Sequence, residues 1–285
     1  MTELRRRMDD DMVARGFAER TRESYLWAVT GLARFYRRPP DRISDEEVQA
    51  YLVHLLRERQ RSWSTCNVVA NGLRFFYHTT LKRDRTTFTI PAPRQRQTLP
   101  AILSRQEVEQ VIAHAANPKH RTMLLTTYAG GLRLNEVLHL RVHDIDSARM
   151  TIRVEQGKGG QDRYTVLSAR LLDALRAYWR VARPATWLFP GKDATRPLDP
   201  SGLQRAYTLA KRRAGITKPG GIHALRHAFA THLLEAGVDL HTIQRLLGHK
   251  SITTTTRDWH LTHAALTTQA ARLELLAELP PLPSA

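Results

Sequence analysis

Apolar residues in the first 81 positions recur at helical spacing. Tyr25, Val29, Leu32 and Tyr36 fall 4, 3 and 4 residues apart, which puts them on one face of a helix. Pro39 and Pro40 end that run. Ser44 then opens another helix, with Glu47 completing a capping box and Ile43 and Val48 placed as a hydrophobic staple. Val48, Tyr51, Leu52, Leu55 and Leu56 supply its buried face, and a basic, polar break follows at residues 57–64. A further helix carries Val68, Val69, Leu73, Phe76 and Tyr77. Residues 82–100 lose this periodicity and gain Pro91, Pro93 and Pro100 among basic residues, which is linker composition.

A second module starts with the same device. Ser104 and Glu107 form a capping box, Leu103 and Val108 a staple, and Val111, Ile112 and Ala115 continue the helix. The apolar stretch 123–129 leads into Gly130 and Gly131. After Asp146 the period changes to two: residues 151–154 and 164–167 read as strands joined through Gly157, Lys158, Gly159 and Gly160. Helices resume at 171–178, at 203–211 and from His223 onward, and a short helix over 264–279 ends at Pro280. The expected fold is mostly α with a small β-hairpin, an α+β arrangement of two domains. Residues 1–81 form a helical module, 82–100 a linker, and 101–285 the second domain. The chain of 285 residues shows no internal repeat and is long enough for each domain to hold a core.

Charge narrows the partner. A formal net charge of +17 makes a polyanion, and above all nucleic acid, the leading expectation. An arginine bias without chemistry is the bland alternative. The single cysteine, Cys66, excludes an internal disulfide, fits a reducing cytoplasm, and reads as core filler beside Val68 and Val69. The start of the chain does not read as a signal peptide, and no run approaches a membrane span. The expected protein is soluble, cytoplasmic and associated with DNA.

Candidate chemistry concentrates late in the chain. Cleaving a phosphodiester requires neutralising charge that builds on its non-bridging oxygens, which the planar, permanently charged fork of arginine does well. Histidine can donate a hydrogen bond or exchange a proton near neutral pH. His223 and Arg226 stand three apart, sharing a helix face with Ala230, while Leu225, Phe229 and Leu233 are expected to hold the core face. Arg133 follows the Gly130-Gly131 turn with Glu136 three residues on, so a helix start could aim it at an anion. Taken alone, each of these patterns also fits a solvated helix end. Lys158 sits among the hairpin glycines, which give it reach, or form an ordinary flexible turn. His223, His227, His232, His241 and His249 were weighed as metal ligands. No His-Glu-x-x-His or cysteine pair accompanies them and Glu235 is the only acid inside the first cluster, so no metal is expected.

Together these segments resemble the tyrosine recombinases, or phage-type integrases. The resemblance runs from about Thr21 to the C-terminus. It is carried by Gly131-Leu132-Arg133 with Glu136, His223 with Arg226, Leu247-Gly248-His249, and the threonine run from Thr253 to Thr256. It implies a two-domain DNA clamp: a helical, SAM-like core-binding domain and a catalytic domain. It implies Arg133 and Arg226 on the phosphate, with Lys158 as general acid for the leaving 5′-oxygen. It makes His223 and His249 phosphate-binding histidines, with Glu136 and His227 in accessory positions. It implies strand exchange through a 3′-phosphotyrosyl intermediate without metal or other cofactor, and a tetramer on duplex DNA held by C-terminal segments. The compact length is similar to Xer-like or integron and transposon integrases. Arg59, Arg61, Arg74, Lys82, Arg94, Arg96, Arg205, Lys211 and Arg212 are candidate DNA contacts, solvated faces being the alternative.

One position departs from the pattern. The slot for the nucleophilic tyrosine is Asp258, followed by Trp259, His260 and Leu261, and no tyrosine occurs after Tyr207. A carboxylate is short and repelled by the phosphodiester it would attack. Three readings follow: a recombinase that binds its site but has lost cleavage; a DNA-binding accessory or repressor of a related recombinase; or cleavage by another route through Asp258, Thr256 or His260.

Overall fold

A computed structural model describes residues 2–83, 88–89, 101–155 and 162–248. The chain divides into two compact units, Met1–Gln97 and Thr98–Ala285.

The first unit is helical. It comprises α1 (Glu3–Ala14), α2 (Glu19–Tyr36), α3 (Asp45–Arg57) and α4 (Trp63–Arg74), the last running on as a π-helical turn, Phe75–Thr80. The Ser44 capping box forms in full: the hydroxyl accepts from the Glu47 N–H, and the Glu47 carboxylate accepts from the Ser44 N–H at 2.9 Å. Ile43 and Val48 are both buried, as a staple requires. Helix α2 stops before the prolines, because Arg37 adopts a left-handed conformation (φ 51°) and turns the chain after Tyr36. Helices α2 and α4 pack closely at Gly72, where a Cβ would lie 3.1 Å from the Tyr25 Cα. Cys66 is fully buried there. The stretch read as linker contributes to this unit: Phe88 is buried in its core, and Arg83 donates to the carbonyls of Ile43 and Asp41.

The second unit contains α5 (Arg105–Ala113), α6 (Pro118–Ala129), α7 (Leu134–Leu138), α8 (Ala169–Ala182), α9 (Pro200–Arg213), α10 (His223–Glu235) and α11 (Leu240–Leu247). Between α7 and α8 lie β1 (Ile145–Asp146), β2 (Thr151–Val154) and β3 (Arg163–Val166), an antiparallel sheet in the order β1-β2-β3. The expected hairpin is present, with Val154 opposite Arg163 and Thr151 opposite Val166. Its inward face is Ile152, Val154 and Thr165, whereas Tyr164 and Val166 face outward. The buried Thr165 hydroxyl donates to the Gly130 carbonyl at 2.8 Å, pinning the sheet to the glycine turn after α6. The main core joins Leu124, Leu132, Leu138, Ile152, Leu175 and Leu225, and a smaller cluster of Phe229, Ala230, Ile243 and Leu247 packs α10 on α11. Among the described residues no helix is long and apolar enough to cross a membrane.

The basic break expected at 57–64 is the turn between α3, which ends at Arg57, and α4, which begins at Trp63, and Arg59 and Arg61 are exposed in it. One expectation changes. On α10, Leu233 is only half-buried, whereas Arg226 is fully buried. The reason is that α10 is covered from more than one side, by α5, α6 and α11, so it has no simple core face opposed to a solvent face.

Candidate functional site

The site is built where four chain segments meet: the start of α7, the start of β3, the C-terminal end of α11 and the first turn of α10. The local sequence dictates the first. Gly131 adopts φ +60°, and a Cβ there would lie 2.4 Å from the Phe229 ring, so only glycine fits both the backbone and the packing. The turn delivers Arg133 to the N-cap of α7, where its N–H donates to Glu136 Oε2 at 2.7 Å. The third segment ends on Gly248 (φ 64°), a left-handed cap that leaves the last carbonyls of α11 pointing into the site.

Glu136 is the hub. Its carboxylate is buried and takes three guanidiniums. Arg133 Nη1 donates to Oε1 at 2.7 Å. Arg163 makes a fork-to-fork pair, with Nη1 on Oε1 at 2.8 Å and Nη2 on Oε2 at 2.7 Å. Arg226 Nη1 stands 3.6 Å from Oε2. Burial alone would raise the Glu136 carboxyl. The Arg163 pairing, reinforced by the Arg133 backbone and side chain, overcomes this and holds it down to about 2. The arginines also hold the α11 terminus: Arg226 donates to Gly131 O at 2.7 Å and Leu247 O at 2.6 Å, Arg163 to Leu246 O at 2.9 Å, and Arg133 to Gly248 O at 3.3 Å. Among the described residues, one carboxylate thus serves three arginines. Arg133 keeps the most solvent contact, 22% of its side chain, against 9% for Arg163 and 1% for Arg226.

The fold therefore brings Arg133, Glu136 and Arg226 together across ninety residues of chain. His223 lies exposed at the start of α10, and its ring meets that of half-buried His227 edge-to-face at 4.7 Å. Lys158, His249 and Asp258 lie outside the described residues, as do Arg94 and Arg96. Arg163 is the member that sequence reasoning missed. Its signal was present: in the alternation of β3 it shares the inward face with Thr165, and a charge facing inward demands a partner.

Other candidates sit apart from this cluster. Lys82, Arg205 and Arg212 are exposed. Arg74 is half-buried and donates to Asn71 Oδ1 at 3.2 Å, and Lys211 is tied to the carbonyls of Lys218 and Gly220. His232, weighed as a ligand, is buried, and its Nδ1 meets the Tyr128 hydroxyl at 2.9 Å; burial lowers its pKa. Among the described residues the group of metal-ligand type is a different one, His143, Asp144 and Glu155, whose potential ligand atoms lie within 4.8 Å of one another. Arg153 already pairs with both of its carboxylates.

The four tyrosines of the second unit differ in setting. Tyr128 meets His232, and Tyr178 and Tyr207 are buried, the Tyr207 phenol pushed up to about 12 by desolvation. Tyr164 faces outward, opposite to Arg163 on the same strand.

Comparison with known proteins gives a consistent result. Residues 101–264 match the model described as "Phage integrase family", and residues 4–87 match "Phage integrase, N-terminal SAM-like domain". A Sinorhizobium fredii protein described as an integrase/recombinase is 42% identical over 284 residues, covering 99% of this chain and 92% of its own length. The tyrosine recombinase XerA of Thermococcus kodakarensis is 34% identical over 210 residues, covering 72% of this chain and 73% of its own. Among solved structures, XerA recombinase matches with a TM-score of 0.57 at 25% identity, over 98% of this chain and 99% of that one. Lambda integrase, solved as a tetramer bound to a Holliday junction, shares the fold with a TM-score of 0.74 at 18% identity, over 89% and 75%.

Proposed function

The chain belongs to the phage integrase family of tyrosine recombinases, and from that premise we propose that it binds duplex DNA at a recombination site without cutting it. The observation that carries this reading is the convergence of Arg133, Arg163 and Arg226 on Glu136, set beside Asp258 in the nucleophile slot. Arg133 and Arg226 are the phosphate ligands, and His223 and His249 add hydrogen bonds to its oxygens. Lys158 protonates the leaving 5′-oxygen in a cleaving relative. Glu136 and His227 support these groups from behind. Because Arg226 is bonded to two backbone carbonyls in the free chain, engagement of DNA exchanges part of that bonding for phosphate oxygens. Exposed Arg59, Arg61, Lys82, Arg205 and Arg212, with Arg74, Lys211, Arg94 and Arg96, extend the contact along the backbone, where charge gives affinity without sequence information.

Asp258 disables the covalent step. A carboxylate is repelled by the phosphodiester and is shorter than a phenol, and no other tyrosine of the second unit substitutes for it. An acyl-phosphate, if formed, would be open to hydrolysis instead of religation. The immediate sequence after Asp258 keeps the family's aromatic and apolar character at Trp259 and Leu261, which favours replacement at one position over general decay. On this reading the chain occupies its site and assembles there as a tetramer through C-terminal segments. The accessory or repressor role is the second reading. It is favoured by the same residue, since a chain that binds but does not cut competes with or joins an active relative.

The test is covalent trapping. The chain as it stands and its Asp258→Tyr variant are incubated with nicked suicide duplex from the flanks of its own gene. Denaturant-resistant adducts from Asp258→Tyr alone are expected. Cleavage or adducts with Asp258 in place would show the carboxylate to be competent and end the non-cutting reading. Binding by both without reaction by either would favour the accessory role.

A further inference from the structure

Among the described residues of the hairpin, Arg163 is the least exposed that carries a charge, and each of its three nitrogens has a protein acceptor. A side chain so engaged does not meet DNA; it holds other groups. What it holds is specific. Its Nη atoms grip both oxygens of Glu136, the carboxylate that Arg133 and Arg226 share, and its Nε takes the Leu246 carbonyl beside the two carbonyls that Arg226 and Arg133 use. It is opposite Val154, the final β2–β3 pair before the loop that contains Lys158. Gly248 is shaped around it: a Cβ at that position would lie 2.7 Å from Arg163 Cδ, and Gly248 directly precedes His249.

We propose that Arg163 is the positioning residue of this site, linking the base of the hairpin to Glu136 and to the end of α11 so that Arg133 and Arg226 face one anion. The inference rests on the reading that the site takes a backbone phosphate, and it adds a residue and a mechanism to it. Without Arg163, Glu136 keeps Arg133 and lacks the guanidinium that pairs with it fork to fork. A buried carboxylate so placed draws on the nearest remaining cation, Arg226 at 3.6 Å, and pulls it off the Gly131 and Leu247 carbonyls. Two phosphate ligands would then be consumed by their own support.

The experiment uses the full chain carrying Asp258→Tyr, with R163M, R163K, E136Q and the R163M/E136Q pair added. Three quantities are read: the rate of adduct formation on the nicked duplex, the affinity for the intact duplex, and the titration of the Glu136 carboxyl by carbon-13 NMR. R163M is expected to slow adduct formation about tenfold or more while duplex affinity moves by no more than about threefold, since oriented charge is spent on the reacting state. R163K, a point charge in place of a fork, should recover part of the rate. The paired variant should be no slower than R163M, because Arg163 acts through Glu136 and the two effects then do not multiply. In R163M the carboxyl should titrate at least about one unit higher. Parental rate and an unmoved carboxyl in a folded R163M protein would overturn the proposal, as would effects of R163M and E136Q that multiply. If R163M does not fold, R163K decides by the same rate and titration. If the Asp258→Tyr parent forms no adduct, the reading of the site as disarmed cleavage machinery falls. The carboxyl titration then judges Arg163 alone, a raised value supporting the anchoring role and an unmoved one refuting it.

Discussion

Two arginine–carboxylate clusters stand in the second unit, and they differ in their charge balance. Around Glu136 one buried carboxylate meets Arg133, Arg163 and Arg226. On the outward side of the sheet, Asp144 and Glu155 meet Arg153, and Arg141 approaches Glu155 at 3.8 Å. The second cluster is neutral, two acids against two bases, and its arginines are 34% and 40% exposed. It staples β2 to the turn before β1 and has no charge left to offer. In the first, among the described residues, three bases converge on one acid. The same residue types thus balance one another in one place and gather around a single carboxylate in the other. What separates them is the ratio of bases to acids and the burial that limits screening.

The largest effect expected from breaking that contrast is at the hub. Glu136→Ala removes the carboxylate that three guanidiniums share, and should lower unfolding free energy by about 3–5 kcal/mol, read from denaturant midpoints. If the loss is no greater than for a change in the outer cluster, the contrast is wrong.

Acid should expose the same hub. Glu136 is held at about 2 in the fold, below its ordinary 4.5. A depressed carboxylate stabilises the fold fully above the unfolded value and loses that contribution as pH falls through the folded one. The window is therefore about pH 4.5 down to about 2, with a loss on the order of 3 kcal/mol. Thermal or denaturant melts of Glu136→Gln should lack this component, whatever their stability at neutral pH.

A smaller effect is expected at Arg133, the most exposed of the three. Arg133→Gln should lower duplex affinity by about tenfold and reduce the salt slope of binding by about one, with a stability change of about 1 kcal/mol. The smallest effect on binding belongs to the outer cluster: Arg153→Met should leave duplex affinity unchanged, and it should cost less stability than Glu136→Ala, since Asp144 keeps the Arg141 N–H and Glu155 is itself a third exposed. Weakened DNA binding in Arg153→Met would assign the sheet face a role that its neutrality argues against.

The parts of the fold legible in advance were those written in local pattern. Ser44 with Glu47 and Ser104 with Glu107 act over three residues, and both capping boxes form as read. The strand alternation at 151–154 and 164–167 located the hairpin to within a residue. Arg226 was legible as a candidate site residue and not as a buried one. Helical periodicity assumes a single solvent side, and α10 is enclosed by α5, α6 and α11. Arg163 went unread because its importance lies in a partner 27 positions earlier in the chain and in a carbonyl 83 positions later.

By itself the sequence carried both capping boxes, the hairpin, the basic character and the choice of Arg133, Glu136, His223 and Arg226 as candidates for one site. It also placed an aspartate at position 258. Those are matters of spacing and side-chain type, which the linear chain carries in full. The tertiary structure alone decided which carboxylate those arginines share, that a third arginine from β3 joins them, and that glycines at 131 and 248 leave room for Phe229 and Arg163. Such choices arise where distant segments compete for the same volume and the same charge, and that competition exists only once the chain has folded.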